Sequence, residues 1–242
     1  MSHIPKLLNA FSRLLSYPDE YTPQTAELLY VVLQGELPEA ASEMAKFGAF
    51  AEQHEVWEME ETFTRTFDVN PTCALEVGWQ LFGEEYARGM FLVRMREELR
   101  KYGLAESVEL PDHLSHVLAI VAAMPDEDAS RFVHACVQPA VEKMNEAFKE
   151  KDSPYGHVIS ALAAVLKHTW GEIERGDDRP AAFESRSLES DPLRAFPVAD
   201  VGGGSGCSSS CGDNVELVPL QIDLSATAQT SNPPTPIEAR RP

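Results

Sequence analysis

Apolar side chains recur at intervals of three and four residues from the N-terminus to about Glu174, and no stretch alternates with a period of two. Intervals of three and four place side chains on one face of an α-helix, whereas a half-buried strand requires alternation. Prolines and capping residues divide this pattern into segments of helical length. The sequence therefore predicts an all-α fold, a single helical-bundle domain of about eight or nine helices.

Residues that begin or interrupt helices set the predicted boundaries. The first helix should end near Ser16, because Tyr17-Pro18 follows and the residue before a proline disfavours helix. Pro139 lies inside a later helix, where its ring and its missing N–H predict a kink or a split. The other helices are predicted from Thr22-Pro23, Leu37-Pro38, about Val56, Leu75 to Phe82, Glu84 to Tyr102, Pro111, about Glu127, and Pro154.

Composition changes after Gly176, where the helical periodicity ends. Residues 177–242 are rich in proline, contain few aromatic residues and include the run Gly202–Gly206. Such a segment buries too little apolar surface to offset the entropy lost on ordering. We therefore expect one helical domain over residues 1–176 and a disordered, acidic tail over residues 177–242. Cys207 and Cys211 lie in this tail and supply only two of the four ligands of a closed zinc site.

The formal net charge is −19, of which residues 1–176 carry −14 and the tail −5. This field repels phosphate backbones and anionic lipid, so nucleic acid and membrane surfaces are poor partners. It attracts a basic partner, such as an arginine-bearing peptide; the alternative is that the acidity serves solubility alone.

Four cysteines without disulfide-framework spacing are typical of a reducing compartment. The N-terminal apolar run is interrupted by Asn9, Ser12 and Arg13, and no segment reaches the roughly 20 apolar residues of a membrane span. We expect a cytoplasmic protein without direct membrane insertion.

The segment Asp68–His113 is rich in bulky apolar residues and lacks a complete catalytic signature. Bulky apolar groups with charged rims are typical of surfaces that hold another protein. Tyr86, Met90 and Val93 widen the apolar arc of its longer helix beyond one face. Either this helix is buried on all sides, or one side lines a groove in which methionine adapts to varied partners.

Asp112, His113 and His116 have a spacing that would place three metal ligands together on a helix. No HExxH motif accompanies them, and no second cluster supplies a fourth ligand. The alternative is an ordinary helix N-terminus, with Asp112 near the positive end of the dipole and His113 hydrogen-bonded locally. The second interpretation is preferred, and no metal or other cofactor is predicted.

Three motifs, together with the opening Phe11–Pro18, resemble the NarJ-type nitrate reductase assembly chaperones, also called the nitrate reductase delta subunit family. The motifs are Phe63–Pro71, Leu81–Gly89 and Glu109–Leu114. The resemblance covers roughly residues 5–175 and excludes the tail. Two motifs depart from the family pattern: Phe63–Phe67 replaces a Tyr-x-x-Leu-Phe element, and the loop around Glu109–His113 is shortened.

The resemblance implies a chaperone rather than an enzyme. Such proteins bind the N-terminal peptide of the apo catalytic subunit of nitrate reductase and hold it until the molybdenum cofactor is inserted. Proteins that deliver this cofactor are further candidate partners. On this reading Tyr86, Met90 and Val93 take the apolar side of the peptide, and Glu84, Glu85, Glu109 and Asp112 favour its basic residues. Arg88 and His113 complete the predicted peptide-binding set.

Three other functions remain open at this point. The chain could serve another molybdoenzyme, act as a metal-dependent helical enzyme through Asp112, His113 and His116, or be a general helical scaffold whose tail recruits partners.

Overall fold

A computed structural model describes residues 3–172 together with Pro192, Leu193 and Phe196. These residues form ten α-helices and one five-residue π-helix. The only strand-like pairing among them is an isolated antiparallel bridge between Glu76 and His113. The α-helices are α1 Ile4–Leu14, α2 Thr22–Leu33, α3 Pro38–Gln53, α4 Val56–Phe67, α5 Val77–Phe82, α6 Tyr86–Lys101, α7 Leu114–Ala123, α8 Asp126–Phe132, α9 Gln138–Phe148 and α10 Tyr155–Trp170, with the π-helix at Val133–Val137.

The all-α prediction is confirmed, and counting α8, the π-helix and α9 as one interrupted helix gives nine. The predicted starts of α2 and α4 at Thr22 and Val56 are also confirmed. The predicted start at Pro111 is wrong: α7 begins at Leu114, because His113 keeps an extended backbone (φ −59°, ψ 136°). The segment before α7 pairs with the segment before α5, and this pairing competes with helix formation.

The split predicted at Pro139 is confirmed, and the π-helix shows how the chain achieves it. A proline ring would clash with the carbonyl four residues earlier, at Ala135, in a regular α-helix. The wider π turn over Val133–Val137 surrounds that carbonyl and ends directly before the proline-containing first turn of α9. The helix therefore continues from α8 into α9 without a loop.

Aromatic side chains join four helices in the core. The Tyr155 ring of α10 lies 5.1 Å from that of Phe47 in α3, and 5.4 and 5.1 Å from those of Phe63 and Phe67 in α4. Phe148 of α9 packs edge-on against Phe67 at 6.1 Å. Such pairs contribute about 0.5–1.5 kcal/mol each beyond the area that they bury. This cluster fixes α4, and with it the loop that leads to α5.

One expected burial pattern is wrong. The spacing in α2 predicts that Leu28, Leu29, Val32 and Leu33 all face the core. Leu29 and Leu33 are buried, but Leu28 and Val32 are 56% and 42% exposed. Thr25 and Ala26 occupy the inner face instead, because it follows the 3.6-residue helical period through positions 22, 25, 26, 29 and 33.

Most of the predicted tail lies outside the described residues, including Cys207 and Cys211, so its disorder and the boundary at residue 176 stay predictions. Three of its residues are described: Leu193 packs against the helical core, Phe196 is only 6% exposed, and Pro192 lies beside them in the chain. None of the described helices has the length and apolar content needed to cross a membrane.

Candidate functional site

The loop before α7 is fastened to the segment before α5 by two backbone hydrogen bonds. Val77 N donates to Asp112 O at 2.9 Å, and Leu114 N donates to Leu75 O at 2.8 Å. The Glu76–His113 bridge lies between them. We call this pairing the α5–α7 clamp. It fixes the Glu109–His113 motif relative to α5, although the two segments are more than thirty residues apart in the sequence.

Asp112 is completely buried in the clamp. Its Oδ2 accepts a hydrogen bond from Gly78 N at 3.0 Å, while Oδ1 has no hydrogen-bond partner among the described residues. Burial raises the pKa of this carboxyl from 3.8 to about 6, against the opposing effect of the Arg88 guanidinium. The sequence placed Asp112 among the residues that contact a peptide's basic side chains, but it lies inside the fold, where its carboxylate caps the start of α5.

Gly78 is required by the close approach of α5 and the clamp. A Cβ at this position would lie 2.7 Å from Asp112 Oδ2 and 3.0 Å from Phe91 Cδ1. Gly89, in the middle of α6, has nothing within 4 Å of its would-be Cβ. Close packing therefore requires a glycine at position 78 but not at position 89.

His113 and His116 both take part in local hydrogen bonds. His113 Nδ1 caps α7 by accepting from Ser115 N at 3.3 Å, and it pairs with Ser115 Oγ at 2.7 Å. His116 Nδ1 lies 3.0 Å from Leu110 O, and its Nε2 lies 3.1 Å from Ser107 Oγ. Within the described part of the chain, no group of three His, Cys, Asp or Glu residues is arranged to hold a metal ion. The two histidines therefore organise the start of α7.

His113 is almost fully buried, and its pKa is depressed. Burial lowers the pKa of this imidazole from 6.5 to about 4, and the neighbouring His116 adds to the effect. Buried imidazole disfavours the charged form because water no longer solvates it. His113 thus acts as a neutral capping acceptor at neutral pH.

A pocket of about 250 Å³ opens beside the clamp. Its wall combines aromatic rings with three carboxylates and one guanidinium. Trp79 is held in place by Nε1 donating to Pro71 O at 2.8 Å, and Arg88 Cζ lies 5.3 Å from the centre of its ring. We call this the acidic aromatic pocket. Its aromatic side chains are Tyr17, Phe63, Phe67 and Trp79, and its charged or polar ones are Asp68, Glu76, Arg88, Glu109 and His113.

Sequence reasoning found Arg88, Glu109 and His113 of this pocket but missed Tyr17, Asp68, Glu76 and Trp79. Tyr17 and Asp68 do lie in motifs that carry the family resemblance. Tyr17 reaches the pocket by packing edge-on against Phe63 of α4 at 5.8 Å, a contact between distant segments that no local spacing in the sequence encodes.

The outer face of α6 carries the apolar residues that the sequence singled out. Tyr86, Met90 and Val93 are 86%, 41% and 52% exposed. Spaced by four and three residues, they form a single stripe, which we call the α6 stripe. One side of α6 is thus open, and the helix is not buried on all sides. Glu84 and Glu85 are exposed just before the stripe begins.

The predicted peptide-binding residues therefore separate into two groups. Arg88 projects from the inner side of α6, about half a turn around the helix from Tyr86, and lines the acidic aromatic pocket. The α6 stripe lies on the opposite side. The two groups meet only near the first turn of α6.

A larger depression, of about 540 Å³, lies between α9 and α10. Its lining is mostly polar and contains none of the residues that the sequence predicted. The smaller pocket is the better candidate, because several charged and aromatic groups from distant segments converge there.

The chain belongs to the nitrate reductase delta subunit family, whose model matches residues 34–161. This match includes the clamp, most of the acidic aromatic pocket and the α6 stripe, and it confirms the family predicted from the sequence motifs. No curated protein matches the chain. A crystal structure of a candidate redox enzyme maturation protein from Archaeoglobus fulgidus is similar, with 23% identity and a TM-score of 0.49, over 69% of this chain and 96% of that one.

Two glycine variants test the close packing at the clamp. Gly78→Ala should lower the free energy of unfolding by about 1–3 kcal/mol, because its Cβ would overlap Asp112 and Phe91. Gly89→Ala, in open space on an exposed helix, should raise it by roughly 0.5–1 kcal/mol. Urea denaturation measures both. Equal effects of the two substitutions would contradict the contact at Gly78.

A second test uses the opposed titrations of Asp112 and His113. The folded pKa of Asp112 is raised, so its contribution to stability is present below about pH 4 and is lost as pH rises toward 6. The folded pKa of His113 is lowered, so its contribution is present above about pH 6.5 and is lost as pH falls toward 4. Each amounts to roughly 3 kcal/mol.

Removing one of these two groups should leave the pH dependence of stability that the other group produces. Relative to the wild type, Asp112→Asn should gain stability as pH rises from 4 to 6.5, and His113→Asn, which keeps a capping oxygen, should lose it. Urea titrations at several pH values measure this, with the exposed Glu27→Gln as the control that keeps the wild-type profile. Parallel profiles for all four proteins would disprove the opposed titrations.

Proposed function

We propose that this chain is a cytoplasmic maturation chaperone for a nitrate reductase. It binds the N-terminal peptide of the apo catalytic subunit and holds that subunit until the molybdenum cofactor is inserted. The observation that carries the proposal is the acidic aromatic pocket in a chain of the nitrate reductase delta subunit family. Proteins that deliver the cofactor are its further partners, and its own role is binding rather than catalysis.

The acidic aromatic pocket has the chemistry that accepts a lysine or arginine side chain. A long cationic side chain lays its apolar stem on aromatic rings and keeps its charge near carboxylates. Tyr17 and Trp79 offer such rings, and Asp68, Glu76 and Glu109 offer the carboxylates. The charge of −14 over residues 1–176 would also steer a basic peptide toward the chain.

The α6 stripe is the proposed contact for the apolar side of the same peptide. Tyrosine and methionine are enriched at protein interfaces, and methionine repacks around differently shaped neighbours. A peptide with its basic end in the pocket would pass the first turn of α6, where Glu84 and Glu85 are exposed. Its apolar residues would then reach Tyr86, Met90 and Val93.

Asp112 and His113 support this site in different ways. Asp112 is buried and positions the start of α5, so it acts through Gly78 and the clamp rather than by touching the peptide. His113 both caps α7 and lines the pocket. Glu76 and Asp68, together with Glu109, therefore contact the basic residue of the peptide in place of Asp112.

Deletion of the gene tests the proposed function directly. The reductase catalytic subunit should still be synthesised but should contain less molybdenum and have lower activity, because its cofactor is inserted inefficiently. Metal analysis of the purified subunit measures this, and re-expression of the wild-type chain is the control. Unchanged molybdenum in nitrate reductase, with loss in a different molybdoenzyme, would assign the chain to that enzyme instead.

Calorimetry with a synthetic peptide of the reductase N-terminus tests the binding surfaces. Glu76→Gln combined with Glu109→Gln should weaken binding about three- to tenfold and reduce its salt dependence, since each partly exposed charge pair contributes up to about 1 kcal/mol. Tyr86→Ala combined with Met90→Ala should weaken it about tenfold without changing the salt dependence.

Matched controls come from α2, on exposed positions outside the site. Glu27→Gln removes a carboxylate, and Leu28→Ala combined with Val31→Ala removes exposed apolar groups. Both controls should bind the peptide like the wild type. Losses as large as those of the site variants would show that total charge or general hydrophobicity governs binding.

A further inference from the structure

Phe196 occupies an aromatic cleft on the helical body. Its ring packs edge-on against Phe91 of α6 at 5.5 Å and against Phe132 of α8 at 5.2 Å. Both of these rings have no exposed surface, and Phe196 itself is only 6% exposed. The cleft therefore lies between α6 and α8, and Phe196 covers side chains that would otherwise meet solvent.

Two further contacts hold the same short segment. Cys136, in the π-helix, donates from Sγ to Pro192 O at 3.6 Å. Leu193, three residues before Phe196, packs against the core. The wider π turn is what presents Cys136 at this place, and π-helical turns are frequent at functional sites.

Three observations distinguish this segment from an ordinary core element. Residues 192 and 193 form a turn rather than part of a helix, and twenty-one residues of sequence separate Pro192 from the end of α10. The segment also lies outside residues 34–161, which the family model matches. The helical body thus carries an aromatic cleft whose occupant comes from outside the family's matched region.

The sequence of the occupant has the chemistry of the proposed client peptide. Pro192-Leu193-Arg194-Ala195-Phe196 combines apolar anchors at a spacing of three with one basic and no acidic residue. Apolar anchors at this spacing are typical of peptides that dock in hydrophobic grooves.

The cleft is connected to the proposed peptide site through α6. Phe91 and Arg88 are three residues apart on the inner face of this helix, and Arg88 lines the acidic aromatic pocket. Phe91 also lies close to Gly78, whose N–H donates to Asp112, since a Cβ at Gly78 would be 3.0 Å from Phe91 Cδ1. A side chain in the cleft therefore packs on the same ring that supports the clamp.

We propose that the segment containing Pro192, Leu193 and Phe196 is an internal ligand, with Phe196 occupying the cleft formed by Phe91, Phe132 and Cys136 and competing there with an apolar anchor of the client peptide. The competition rests on the proposed function, whereas occupation of the cleft by the chain's own segment does not. When the client peptide binds, its anchor replaces Phe196 and the segment is released.

The first experiment needs no client. A labelled synthetic peptide of residues 190–198 is titrated into the full-length wild-type chain and into the full-length Leu193→Ala/Phe196→Ala variant. The peptide should bind the variant at least about tenfold more tightly, because an internal ligand that is docked nine-tenths of the time weakens binding by that factor. The same peptide carrying Phe196→Ala should not bind. Failure of the unmodified peptide to bind the variant would overturn the proposal.

A control and a milder variant keep this result interpretable. Leu217→Ala, an apolar truncation elsewhere in the C-terminal region, should behave like the wild type. If the double variant unfolds, Leu193→Ala alone, which leaves Phe196 in place, should still bind the peptide more tightly than the wild type does. Equal affinities for Leu193→Ala and the wild type would then overturn the proposal.

The second experiment tests the competition. The reductase N-terminal peptide should bind the Leu193→Ala/Phe196→Ala variant about three- to tenfold more tightly than the wild type. Equal affinities, with the 190–198 peptide still binding the variant, would overturn the competition. No binding of the reductase peptide to either protein would overturn the proposed function and the competition with it, while the result with the 190–198 peptide would stand.

Discussion

The buried hydrogen bond from Gly78 N to Asp112 Oδ2 is the contact on which the rest of the site depends. It joins the start of α5 to the loop before α7, and two backbone hydrogen bonds reinforce the joint. Glu109, His113, Glu76 and Trp79 reach one pocket only because these two segments are held together. The carboxyl is buried at a cost, which its raised pKa reflects. The site is thus organised by the Asp112 carboxyl, which is buried and does not form part of the site's surface.

The fold was largely predictable because helical period and proline placement are local properties. The start of α4 at Val56 and the split before Pro139 follow from side-chain chemistry within a few residues. The start of α7 was mispredicted because tertiary pairing kept residues 111–113 extended. Leu28 was misplaced for a related reason: several neighbouring positions were apolar, and only the packing partners decided which of them turned inward.

The candidate site was predictable only in part. Tyr86, Met90 and Val93 are exposed, and this decides between the two placements of the helix that the wide apolar arc left open. The burial of Asp112 and the positions of Tyr17 and Glu76 in the pocket wall depend on contacts between distant segments. A single sequence gives no signal for such contacts. The family match extends over these segments, but it does not say which side chains touch a partner. Only the structure shows which groups line the acidic aromatic pocket and which side chain occupies the cleft at Phe91.

The π-helix has a consequence for how this chain tolerates insertions and deletions. A π turn holds one residue more than an α turn, so Val133–Val137 amounts to a single-residue insertion accommodated inside a continuous helix. Loss of one residue there would close the wider turn into regular α-helix and leave the downstream residues in phase, so Val141 and Met144 would still face the interior. The change would stay within the turn itself, where Cys136 contacts Pro192. The same loss in the regular part of α9 would instead rotate everything after it by about 100°. The π turn is thus the place in this helix where a change of one residue in length disturbs the packing of the downstream half least.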